Sequence, residues 1–73
     1  MINLLNVPNG QRVRLVSISG RLQSKLLQYS LHIGDFVRVL RSAPLGGPLL
    51  VEVNGREIAL GRIIAEKIFV EVE

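Results

Sequence analysis

The sequence predicts a mainly β domain: a small barrel of about five strands with one short helix after the first strand. Three observations carry that prediction. Asn54-Gly55 lies between two runs of strand character, Leu49 to Val53 and Arg56 to Leu60. Both residues tolerate the positive φ of a two-residue type I′ hairpin turn. The runs Arg12 to Ile18 and Lys67 to Glu73 alternate apolar and polar residues, the period of a half-buried strand. Leu22 to Tyr29 breaks that period: it has no Pro or Gly, and Leu22, Leu26 and Tyr29 are spaced i, i+4, i+7.

The elements follow in order. Leu4, Leu5 and Val7 precede a turn at Pro8-Asn9-Gly10 and are expected to cap one open end of the core. In the first strand Val13 and Leu15 face one way. Val16 and Ile18 follow out of phase, so a bulge or bend is expected at Leu15/Val16. The helix is about two turns long and holds only if it packs on the sheet. Leu22, Leu26 and Tyr29 make its longer stripe, and Leu27 and Leu31 point the other way. Phe36 to Ser42, Leu49 to Val53 and Arg56 to Leu60 form a three-strand meander, with the loop Ala43 to Pro48 inside it. A two-residue turn fixes its register: Val53 faces Arg56, Val51 faces Ile58, Leu49 faces Leu60, and Glu52 faces Glu57 on the other side. A short turn at Gly61 to Glu66, of 3₁₀ type, leads to the final strand, with Ile68, Val70 and Val72 inward. Five strands with a helical turn before the last suit an SH3-like barrel. An OB-like barrel ranks below it, because that fold places its helix later.

Seventy-three residues make one domain, 1–73, and 48% of them are hydrophobic, too many for a disordered chain. There is no cysteine, hence no disulfide and no thiolate metal site. The apolar runs are far shorter than the ~20 residues that span a bilayer, and the expected location is the cytoplasm. The net charge of +3 is uneven. Residues 1–41 hold six Lys or Arg against Asp35 alone, and residues 42–73 hold three against five Glu. A basic face toward nucleic acid is the alternative this raises, but strands from both halves interleave in a barrel, which mixes the signs.

No catalytic constellation is present. His32 is the lone histidine, and with scattered carboxylates it makes a weak ligand set. Glu52 and Glu57 face each other and are read as exposed, eased by Arg38 or Arg41 on the neighbouring strand. Ser30, His32 and Asp35 sit in one loop, which cannot set the opposed geometry of a triad. Gly46-Gly47 lacks the lysine and the following helix of a phosphate loop. Tyr29, Phe36 and Phe69 are too few to line a polyproline groove. Neither enzyme activity nor a cofactor is expected.

The stretches Leu31-His32-Ile33-Gly34-Asp35-Phe36-Val37, Ala43-Pro44-Leu45-Gly46-Gly47-Pro48, Val51-Glu52-Val53-Asn54-Gly55, Ile58-Ala59-Leu60 with Arg62 and Ala65, and Ile68-Phe69-Val70 resemble the ferrous iron transport protein A family, FeoA. The resemblance runs from Leu4 to Val72. It implies an SH3-like barrel and a cytoplasmic accessory role beside the membrane ferrous transporter FeoB, whose cytoplasmic domain is a GTPase. Iron is then the transporter's cargo. A homo-oligomer is compatible with the resemblance, and nucleic acid is the disfavoured partner. Three residues depart from the family pattern: Gly47 replaces Asp in the loop, Gly61 replaces an Arg, and Ser30 stands where Gly commonly ends the helix. The expected docking face combines the second side of the helix, Leu27 and Leu31, with the loop Leu45-Gly46-Gly47. The competing expectation is that Leu4 and Leu5 fold over that side and bury it.

Overall fold

Six strands, one more than expected, make a single antiparallel sheet in the computed structural model, which describes residues 1–20 and 22–73. Arg21, counted above in the basic half, lies outside the described residues. In chain order the elements are β1 (Ile2–Asn3), a 3₁₀ turn (Leu4–Asn6), β2 (Arg12–Ile18), α1 (Gln23–Gln28), β3 (Phe36–Ser42), β4 (Leu49–Val53), β5 (Arg56–Leu60), α2 (Arg62–Ala65) and β6 (Ile68–Val72). The strand order is β1-β6-β2-β3-β4-β5. The mainly β, SH3-like class holds, but the sheet is not closed: β1 and β5 are its edges.

The added strand is β1. Ile2 and Asn3 pair with Val70 and Phe69. Leu4 anchors it from the core at 1% exposure, and Asn3 Oδ1 accepts a hydrogen bond from the Leu5 amide at 3.0 Å. Two residues carry no periodicity, so this strand exists only through tertiary packing. Its shortness has a consequence. It stops at Val70, so Val72 has a strand on one side only and is exposed, against the expectation that it points inward.

The meander forms with the expected register: Val53 opposite Arg56, Val51 opposite Ile58, Leu49 opposite Leu60 and Glu52 opposite Glu57. Asn54 and Gly55 have φ of 52° and 78°, as a type I′ turn requires. The phase slip in β2 is a register shift against β6 between Leu15 and Ser17. It lets both Leu15 and Ile18 reach the core. Val7 joins Leu4 there, with Leu5 packed partly against it.

α1 buries Leu26, with Leu22 and Tyr29 partly buried beside it. The longer stripe is therefore the core side, as its spacing implies. The helix then stops in a Schellman motif. Ser30 takes φ 58°, its amide donates to the Leu27 carbonyl at 2.9 Å, and the Leu31 amide donates to the Leu26 carbonyl at 2.9 Å. The segment before β6 is a single α-turn, α2, rather than a 3₁₀ turn, and it buries Ala65.

Candidate interaction face

The Schellman motif splits the two leucines expected to stand together. Leu27 is on α1 and 61% exposed, whereas Leu31 is 1% exposed. Helical spacing continued to residue 31 puts Leu31 beside Leu27. The chain leaves the helix at Tyr29, and the left-handed Ser30 swings Leu31 into the core with Leu26. Leu31 is thus a packing residue, and Leu4 and Leu5 do not cover Leu27. Around Leu27 lies a shallow, mostly apolar groove of about 360 Å³. Gln23 and Ser24 form its rim on α1, and exposed Ile33 supplies more apolar surface.

The loop Ala43 to Pro48 is a second exposed feature. The Gly47 amide donates to the Pro44 carbonyl at 3.1 Å, and the Ala43 amide donates to the Pro48 carbonyl at 2.9 Å. Leu45 and Gly46 have φ of 59° and 72°, so Pro44 to Gly47 is a second type I′ turn. Leu45 is fully exposed at its tip. Leucine is a poor choice for positive φ, where its Cβ crowds the following carbonyl. Gly47 contributes differently: a Cβ there would sit 2.8 Å from the Ala43 Cβ. The missing Asp of the family pattern therefore leaves a tight turn that needs glycine, not an open loop.

The charges pair across strands. Arg12 Nη1 lies 3.0 Å from a Glu73 carboxylate oxygen, and Arg14 Nη2 lies 3.3 Å from a Glu71 oxygen. These pairs join the basic first half to the acidic second half. The Arg12 guanidinium also lies 4.4 Å from the Phe36 ring centre. Arg38 is opposite Glu52, but its Nη1 donates to the Gly10 carbonyl at 2.8 Å.

His32 is exposed, with Nδ1 3.7 Å from Asp35 Oδ2, and the same oxygen accepts from the His32 amide at 2.9 Å. Asp35 is thereby tied to its own turn. Among the described residues no three of His, Cys, Asp and Glu come together to hold a metal ion, and no helix is long and apolar enough to cross a membrane.

The FeoA domain family matches residues 2–72. The chain belongs to the FeoA family. FeoA-family proteins are small accessory proteins associated with ferrous iron uptake. The chain is similar to the crystal structure of an iron uptake regulatory protein (FeoA), at 29% identity over 96% of this chain and 95% of that chain, with a TM-score of 0.84. It is similar to the FeoA protein from Chlorobium tepidum, at 32% identity over 97% of this chain and 70% of that chain, with a TM-score of 0.83. It is also similar to part of ScaR with bound Zn²⁺, at 25% identity and a TM-score of 0.87, but spans only 37% of that chain. Among curated proteins no sequence matches it. The FeoA residues that sequence reasoning placed in contact with a partner are thus divided. Leu27, Leu45, Gly46 and Gly47 lie on exposed or turn positions, and Leu31 lies inside. Ile33 is an apolar surface residue beside Leu27 that it missed. Its signal is an isoleucine between His32 and Gly34, in a turn that has no strand or helix to bury it.

Proposed function

We propose that this FeoA-family chain docks on the cytoplasmic side of the membrane ferrous transporter FeoB and modulates its GTPase-coupled transport. In this reading Leu27 and the turn Leu45-Gly46-Gly47 are the contact elements. The observation that carries it is Leu45: an apolar side chain fully in water, at the tip of a hydrogen-bonded turn whose backbone disfavours leucine. Exposed Leu27 and Ile33 add apolar surface on and beside α1. The nucleic-acid alternative has less support, because Arg12 and Arg14 are already neutralised by Glu73 and Glu71.

The test uses the full chain and FeoB from the same cell, purified with and without GTP. Leu27→Gln and Leu45→Gln should leave the melting curve nearly unchanged and should abolish co-purification and iron-dependent growth. Leu26→Gln should instead unfold the domain, because Leu26 is buried. Normal co-purification of both surface variants would remove these residues from the docking face. A gel shift against rising salt tests the alternative, since a nucleic-acid complex weakens steeply with salt.

A further inference from the structure

β5 ends the sheet, and no described strand pairs with its outer edge. The hairpin fixes which of its groups point outward. Val53 and Arg56 flank a two-residue turn and exchange both hydrogen bonds, and the pairs alternate from there. Ile58 and Leu60 are therefore bonded to β4. The N–H and C=O groups of Glu57 and Ala59 face away from it. Both residues are exposed, and no described backbone group bonds to them. Alternating donors and acceptors at strand spacing fit one kind of ligand, another extended chain. Edges are protected by charged side chains, proline, a bulge or shortness. β5 carries Arg56 and Glu57 among its five residues, but it has no proline, and its pairing with β4 shows no register shift.

Charge selects the occupant. Glu52 and Glu57 stand directly opposite each other on the outer face of the sheet, and like charges so placed repel. Arg38, opposite Glu52, is turned to the Gly10 carbonyl. Among the described residues neither carboxylate has an ion-pair partner, whereas Glu71 and Glu73 both have one. A residue of an added strand opposite Glu57 falls on the same face, with its Cβ about 5 Å away. A lysine or arginine there relieves the repulsion. The β5 edge of a second copy would bring two more glutamates to that face instead. We propose that the free edge of β5 binds an extended, basic segment of another protein as a seventh strand, with Lys or Arg opposite Glu57. This edge uses none of the residues assigned to FeoB docking, so the two readings fail independently.

The experiment is backbone amide exchange by NMR on the full chain. The probe is a synthetic peptide of about eight residues alternating valine and lysine. A second peptide carries glutamate in place of lysine. In the free chain the Glu57 and Ala59 amides should exchange fast and the Ile58 amide slowly. The lysine peptide should slow Glu57 and Ala59 by about tenfold or more at saturation. The glutamate peptide should not. Ala59→Pro removes an outward N–H and no bond to β4, and should abolish the protection. Glu57→Gln should weaken lysine-peptide binding about two- to fivefold, and it decides the matter if Ala59→Pro unfolds. No slowing by the lysine peptide overturns the proposal, and so does equal slowing by the glutamate peptide. Protection in the free chain that grows with protein concentration also overturns it, in favour of a second copy at this edge.

Discussion

Ser30 closes α1 with a backbone that suits glycine, and replacing it tests the cap directly. Ser30→Gly keeps both Schellman hydrogen bonds, because both donors are main-chain amides. It removes the contact between Cβ and the following carbonyl at φ 58°, a strain of about 1–2 kcal/mol for a non-glycine residue. Against this, glycine gains freedom in the unfolded chain, a loss of about 0.4–1 kcal/mol. The net expectation lies between about 0 and 1.6 kcal/mol of stabilisation, centred near 0.8 kcal/mol. For a domain this small, the central value raises Tm by about 3–6 °C. Urea unfolding should show a higher midpoint at unchanged slope, because the folded surface does not change. Ser30→Val should move the midpoint the other way, since a β-branched residue is worse at positive φ. A destabilising Ser30→Gly would refute the left-handed cap. It would also reopen the placement of Leu31, which depends on that turn.

Leu31→Ala should cost about 2–4 kcal/mol by opening a cavity, while Leu27→Ala stays within about 0.5 kcal/mol, and a pair of denaturant melts separates them. Asn54→Ala should cost about 1 kcal/mol, because alanine resists φ 52° in the hairpin turn; a neutral result in the same melts would contradict the two-residue register. Gly47→Ala should cost about 1 kcal/mol, because its Cβ would press on Ala43 and shift the turn. The amide exchange rates of Ala43 and Gly47 should rise with it.

The parts of this fold legible in the sequence are those decided by local chemistry. Asn54-Gly55 set a turn type, the turn set a register, and the register set which of Val51 and Glu52 faces the core. The slip between Leu15 and Val16 marked the bulge, because a strand buried on one side cannot change phase without one. The misses are all cases where a distant contact or a backbone turn overrides the pattern. β1 is too short to show a period and depends on Leu4 in the core. Val72 has the right parity, but β1 does not reach it. Leu31 has helical spacing, but the helix has already ended, and serine at position 30 hides the usual glycine signal. The exposed face suffers for the same reason: Leu27 was legible from its stripe, while Ile33 sits in a turn with no period to read.

Among the described residues three non-glycine positions take positive φ, and they are not equivalent. Ser30 gains two main-chain hydrogen bonds around its cap, and Asn54 is among the residues that tolerate the region. Leu45 has neither tolerance nor packing, since its side chain is fully in water. At one position the chain thus carries both an unfavourable backbone and an unfavourable surface, with no compensation in the folded monomer. Burial of Leu45 in a complex would offset both, by roughly 1.5–3 kcal/mol for a full leucine side chain. Leu45→Asn should therefore change stability and binding in opposite directions. The melt should rise, by about 0.5–1 kcal/mol, because asparagine suits the first central position of a type I′ turn. Co-purification with FeoB should fall. A variant that is less stable would show that Leu45 is not held at positive φ. A variant that is more stable and still binds fully would show that the exposed leucine has no part in docking, and the case for this turn as a contact element would end there.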